Sequence, residues 1–211
     1  MEGKLKIKIN WVEILAEKIT QKLNNHLNKD GLELMKMKLG IEIILINLSK
    51  LIVIFLVAAQ VNLLKESLFM ILVFASIRKS SFGLHAQNSI VCTITSLTID
   101  VFGAFISYYI TLNNFMVFII FVFINICLYR YAPADTENHP LIGKKLRQNL
   151  RRQSVTVGII LMILTLIIQN PTVKAMIIIA TGAQVISILP ITYRILNRGY
   201  KNYEKYERGI N

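Results

Sequence analysis

The stretch Phe115-Met-Val-Phe-Ile-Ile-Phe-Val-Phe-Ile-Asn-Ile-Cys-Leu-Tyr129 contains no charged side chain and a single amide, and Arg130 follows it directly. An apolar run that ends on a basic connection reads as a membrane helix with its cytoplasmic end at the arginine. The rest of the chain shares this bias. Of 211 residues, 54% are hydrophobic and only 17% charged, and the mean hydropathy is +0.54. A soluble domain is nearer a quarter charged, so a soluble enzyme is excluded. At about 20 residues per helix, the length allows roughly five to seven spans. Two cysteines in the whole chain exclude a disulfide scaffold.

Working outward from 115–129, five more apolar segments are legible, at 41–61, 63–77, 89–112, 155–169 and 173–193. The segment at 63–77 is short, about 22 Å as a helix. The one at 89–112 carries Cys92, Thr93, Thr95, Ser96, Thr98 and Asp100. The last two form a hairpin around Asn170-Pro171-Thr172. Charge tests this count. The connection 130–153 has six basic and two acidic residues, net +4, and the tail 194–211 has five and two, net +3. Arg78 and Lys79 follow the second segment, whereas the remaining connections are nearly uncharged. With six spans, every basic connection and both termini fall on one side, which the positive-inside rule makes cytoplasmic. Five spans would split the basic segments between sides.

The first 38 residues carry eight Lys and five acids, net +3. They contain no long apolar core of the kind a secretory signal needs. Asn10 with Glu13 marks a helix start, and Trp11, Ile14, Leu15, Ile19, Leu23 and Leu27 recur at helical spacing. This is a basic amphipathic helix of the type that lies in the membrane interface. The chain therefore divides into the amphipathic region 1–38, a six-span domain 39–193 and a basic tail 194–211. The fold class is all-α and polytopic, with both termini cytoplasmic. Tyr193, Tyr200, Tyr203 and Tyr206 place the start of the tail at headgroup level.

The chemistry-bearing stretch is Arg78-Lys-Ser-Ser-Phe-Gly-Leu-His85-Ala-Gln-Asn-Ser-Ile-Val-Cys92, a polar break between two apolar segments. A thiolate is a strong nucleophile, and a nearby imidazole can take the thiol proton. One straight helix would separate His85 and Cys92 by about 10 Å, too far for a hydrogen bond. The chain must therefore turn between them. Gly83, Asn88 and Ser89 permit a turn, with Asn88 or Ser89 capping a helix that has Cys92 in its first turn. Asp100, a carboxylate inside a span, is a functional candidate by default: it could orient His85, line a polar path or pair with Lys50 or Lys174. Cys127, with no histidine nearby, reads as packing. His26, His139 and the two cysteines show no metal-ligand spacing, so no metal and no cofactor are expected. A rival reading of the same spans is a small transporter or exporter, with Asp100 lining the path.

Arg78, Gly83, His85 and Cys92, in a chain of about 200 residues, resemble the accessory gene regulator B (AgrB) family. The basic amino-terminal region, about six spans and the run Tyr131-Ala-Pro-Ala-Asp-Thr-Glu-Asn-His-Pro-Leu141 agree with it. Many members have Gly-Gly where Phe82-Gly83 stands. The resemblance implies a membrane cysteine endopeptidase of Gram-positive bacteria that processes quorum-sensing pro-peptides at the cytoplasmic face of the cell membrane. Cys92 would be the nucleophile and His85 the general base, supported by Arg78, Gly83 and Asp100, with Arg78 also a candidate oxyanion donor. The carboxyl-terminal fragment would leave, giving a thioester that a Cys or Ser of the peptide closes into a ring. The substrate's acidic tail would meet Lys79, Lys144, Lys145, Arg147, Arg151 and Arg152. The expected partners are that pro-peptide, the lipid bilayer and a second copy in a homodimer, and no nucleic acid.

Overall fold

Residues 11–84, 89–137 and 140–208 are described by a computed structural model, with backbone only for 11–13, 89 and 208. Among these residues every regular element is a helix, and an isolated parallel bridge joins Phe82 to Ala134. The contacts divide the chain into two compact units, Met1–Val53 and Ile54–Asn211.

In the first unit, α1 spans Trp11–Leu27 and α2 starts at Gly31 and runs to Gln60. The two are linked by a turn in which Asn28 and Gly31 take positive φ and the Lys29 N–H donates to the Asn24 side chain at 2.8 Å. Lys38 and Glu17 pair across the turn at 3.5 Å. The expected apolar stripe of α1 is not its buried side. Ala16 and Thr20 are buried, while Ile14, Leu15, Leu23 and Leu27 remain exposed. An uncovered stripe of this kind suits the apolar surface of a membrane interface.

The second unit contains the rest of the helical set. These helices are α3 (Leu64–Ser81), α4 (Ser89–Leu97), a π-helical turn (Thr98–Phe102), α5 (Gly103–Ser107), α6 (Asn114–Tyr131), α7 (Lys144–Ile167), α8 (Pro171–Ile188), α9 (Pro190–Ile195) and α10 (Tyr203–Arg208). Helix starts follow local chemistry. Asn113 caps α6 by accepting from the Met116 N–H at 2.8 Å. Asn170 caps α8 by accepting from Thr172 and Val173, with Pro171 in the first turn, where its missing N–H costs nothing. α3 packs on α8 and α7, and α6 packs on α7 and α8. Met70, Val73, Ile77, Phe121, Ile124, Leu128, Met176, Ile177 and Ala180 fill the shared core, with Cys127 among them. The opposite faces keep Phe115, Phe118, Phe123, Ile126, Ile159, Ile160 and Ile163 exposed. That much uncovered apolar surface marks a face for lipid rather than water.

Among the described residues five helices are long and apolar enough to cross a membrane: α2, Ile90–Ser107, α6, α7 and α8. Of the six segments expected from sequence, the short one at 63–77 is the exception. Its helix, α3, has 18 residues, about 27 Å, but Lys65, Glu66, Arg78 and Lys79 at its ends lower its hydropathy. The expected connection 130–153 is also more ordered than a loop, because its Lys144–Gln153 part is the start of α7. Lys, Arg, Gln and Leu are good helix formers, and the basic charges ride on the helix itself.

Candidate functional site

α3 ends at Ser81 because the next residue cannot continue it. Phe82 takes φ 55 and ψ −131, and Gly83 follows with φ 109. Both lie in backbone regions that glycine enters without steric cost and other residues rarely adopt. A Cβ on Gly83 would sit 2.6 Å from Ser187 Oγ and 2.9 Å from Ile188 Cγ2. Gly83 is therefore needed twice, for its backbone angle and for its close approach to α8.

This turn is anchored on three sides. The Gly83 N–H donates to the Ala134 carbonyl at 2.8 Å, and the Ala134 N–H donates to the Ser81 carbonyl at 3.0 Å. The Leu84 N–H donates to the Ser187 carbonyl at 3.1 Å. Arg78 closes the knot. Its Nη1 donates to Gln184 Oε1 at 3.2 Å and to Ser187 Oγ at 3.1 Å. Its Nη2 donates to the carbonyls of Gly83 at 3.1 Å and Leu84 at 2.7 Å. Gln184 in turn donates through Nε2 to Ser81 Oγ at 2.7 Å and to the Phe82 carbonyl at 2.6 Å. Each Nη of Arg78 thus has two acceptors, as many as it has protons. The arginine is accordingly a clamp on the turn, and its Nη donors are engaged rather than offered to an oxyanion.

Cys92 is the fourth residue of α4, in its first turn, and half-buried. A helix amino terminus favours negative charge. Cys127, by contrast, is 4% exposed in the helix core. His85 and Asn88 lie outside the described residues, as does the Ser89 side chain, and so does His139. Asp100 is buried on the π-helical turn two helical turns further along from Cys92, and that turn packs against α3 and α8. Lys174, a candidate partner for Asp100, is buried and donates to the side chain of Asn114. Among the described residues no group of three His, Cys, Asp or Glu gathers as metal ligands would.

The basic residues separate into two kinds. Lys79, Lys144, Lys145, Arg151 and Arg152 are exposed, and of these Arg151 donates to the Ala132 carbonyl at 3.0 Å. Arg147, half-buried, makes a two-point ion pair with Glu207 at 2.6 and 3.1 Å and lies 3.8 Å over the Tyr203 ring. Arg151 therefore braces the 132–137 turn and Arg147 the tail. Asp135 has the largest share in that brace, and nothing in its sequence context singles it out. It is 3% exposed, and its carboxylate accepts from the N–H groups of Asn202 at 3.0 Å and Tyr203 at 2.7 Å. Tyr193, expected in the interface, is fully buried and donates to the Asp135 carbonyl at 2.8 Å. Burial likewise pushes the Tyr200 hydroxyl above its ordinary pKa. A polar cavity of about 130 Å³ opens here, lined by Arg130, Asp135, Arg151 and Tyr203 among others.

Comparison with known proteins bears on the family of the chain. A family model described as accessory gene regulator B matches residues 16–188. The chain is 50% identical over 206 residues to a putative AgrB-like protein of Clostridium acetobutylicum, covering 98% of this chain and 99% of that one. It is 42% identical to a putative AgrB-like protein of Listeria innocua, over 82% of this chain and 85% of the relative. It is 26% identical to accessory gene regulator protein B of Staphylococcus saprophyticus, over 86% of this chain and 94% of the relative. No solved structure matches.

Proposed function

The chain belongs to the accessory gene regulator B family, and on that premise we propose that it is a membrane-embedded cysteine endopeptidase acting on a quorum-sensing pro-peptide. The observation that carries the reading is the position of Cys92. A half-buried thiol in the first turn of a helix, just beyond the turn that Arg78 clamps, is placed as a nucleophile can be. His85, one residue beyond the clamped Leu84 in the chain, is the proposed general base.

In this reading Cys92 gives its proton to His85 and attacks a peptide carbonyl. The C–N bond breaks, the departing amine takes that proton, and the carboxyl-terminal fragment leaves a thioester on Cys92. A Cys or Ser side chain of the peptide then attacks the thioester, closing a thiolactone or lactone ring and returning the thiol. Water would hydrolyse the thioester, so the site has to exclude it, and a pocket at the membrane face suits that need. Because the Nη groups of Arg78 are taken, its role is to hold the turn. Lys79, Lys144, Lys145 and Arg152 are exposed basic residues assigned to an acidic substrate tail.

The topology proposed with this function has six spans and a cytoplasmic site. α3 is the sixth, since 27 Å approaches the thickness of the hydrocarbon core and its charges stand only at its ends. Both termini are then cytoplasmic, in the cell membrane of a Gram-positive bacterium.

Membranes holding the protein, supplied with a cognate pro-peptide, test the proposal. Wild-type protein should release the carboxyl-terminal fragment, and Cys92→Ala and His85→Ala should not. Cys127→Ala should keep the activity. Normal cleavage by an inserted Cys92→Ala protein would overturn the proposal.

A further inference from the structure

We propose that Gln184, on α8, is a positioning residue for the Phe82–Leu84 turn that leads to His85, acting through Arg78 and through the backbone of the turn itself. The inference rests on the peptidase reading above and adds a residue to it that lies 92 positions from the nucleophile in the sequence.

α8 is the most enclosed of the candidate spans, with half of its apolar window buried. Gln184 is fully buried on it, next to Ala180, Thr181, Val185 and Ile188. A carboxamide in such surroundings is unfavourable unless its donors and acceptor are paired. Those of Gln184 are paired wholly to one place. Oε1 accepts from Arg78, and Nε2 donates to Ser81 and to the Phe82 carbonyl. All three partners lie at the end of α3 and in the turn after it.

The consequence runs through Arg78. Its Nη1 is fixed by Gln184 and Ser187, and with Nη1 fixed, Nη2 can reach only the carbonyls of Gly83 and Leu84. Ser187, one helical turn beyond Gln184, accepts from Nη1 through its hydroxyl and from the Leu84 N–H through its backbone carbonyl. The two side chains of α8 thereby set where the guanidinium stands and how it holds the turn. Without them the arginine has the reach to move away, and the turn loses its hold on Phe82. A merely space-filling residue would need neither the amide nor this register.

The test compares wild type, Gln184→Met and Ser187→Ala in full-length, membrane-inserted protein. Methionine keeps most of the volume of glutamine and removes its polar atoms. Two quantities are read: kcat and KM for the pro-peptide, and the pH profile of Cys92 alkylation by iodoacetamide in a Cys127→Ala background. Gln184→Met should lower kcat about 10- to 100-fold with KM nearly unchanged, in the range that positioning contributes. Cys92 alkylation should be slower across the profile, because a released turn no longer holds the proposed base His85 in place for the thiol. Ser187→Ala should shift both in the same direction by a smaller amount, and it decides the matter if Gln184→Met does not accumulate. A KM increase with unchanged kcat, or wild-type kcat and alkylation profiles in the variants, overturns the inference. If wild-type cleavage survives Cys92→Ala, the peptidase reading falls and takes this one with it. If cleavage requires Cys92 but is indifferent to both α8 variants, this inference alone falls.

Discussion

Arg78 donates to Gln184 at 3.2 Å across 106 residues of sequence. That single contact joins the second apolar segment of the chain to the last one, at the turn that leads to His85. It converts an arginine that sequence reading offers as a substrate contact or an oxyanion donor into a structural clamp. Around it the Gly83 and Leu84 carbonyls, the Ser187 hydroxyl and the Phe82 carbonyl are all satisfied, so the turn is held by hydrogen bonds more than by apolar packing.

Cys92 should react far faster than Cys127 with a small maleimide. The first is half-buried at a helix start, while the second is 4% exposed in the core. Mass spectrometry of singly labelled native protein should find the adduct on Cys92 by at least about tenfold, as expected for a thiol at a helix start and open to solvent. Equal labelling would contradict the placement of the two thiols.

Gly83→Ala and Phe82→Gly should act in opposite directions. An alanine at 83 faces both a positive φ and the 2.6 Å approach to Ser187 Oγ, and strain of this kind costs on the order of 1–3 kcal/mol. Cleavage should fall by more than about tenfold while membrane insertion persists. Phe82 already stands at φ 55, so glycine there relieves strain and should retain activity. A wild-type rate in Gly83→Ala would show that the turn relaxes without consequence.

The exposed and the bridged basic residues should separate kinetically. Replacing Lys144, Lys145 and Arg152 together by glutamate should raise KM for a peptide with an acidic tail, and the effect should shrink at high salt. Arg147→Ala and Arg151→Ala should instead loosen the 132–137 turn and the tail, read as faster proteolysis near residue 200. If all five behaved alike, the division made from their contacts would be wrong.

Tail docking should weaken in acid. The Arg147 guanidinium, and then the Gly143 N–H, hold the Glu207 carboxyl below its ordinary value of 4.5. A carboxylate with a lowered pKa in the folded state contributes stability that is complete above its unfolded value and is lost as pH falls through the folded one. Hydrogen exchange of 203–208 should therefore be protected at neutral pH and lose protection only below about pH 4.5. Glu207→Gln should remove the pH dependence. Unchanged protection in acid would mean that other contacts hold the tail.

Much of this protein was legible in one dimension, because membrane helices are written in local composition. The 115–129 run, the Asn170-Pro171 cap and the basic connections lie in contiguous sequence, and each has a local physical cause. So does the placement of Cys92 just inside a new helix, since Gly83 and the polar residues after it interrupt the helix before. The segment at 63–77 was the hard case, since charges at both ends of α3 dilute its apolar signal. The braced turn was harder still. Asp135, Gln184 and Ser187 are ordinary polar residues in their own neighbourhoods, and only their partners give them meaning.

The sequence alone determined that the chain is helical, apolar and basic in its connections and tail, and that a thiol and an imidazole lie at one polar break. Those properties depend on hydrophobicity and charge summed over neighbouring residues. Tertiary structure decided which polar groups serve that break. Hydrogen bonds require contact within about 3 Å, and residues 78, 134 and 184 come that close to one turn only after α3, α6 and α8 have packed. It also decided that Arg147 and Arg151 brace the fold while Lys144, Lys145 and Arg152 stay open. Charge is additive along a chain, but whether a charge is already paired is a property of three-dimensional neighbours.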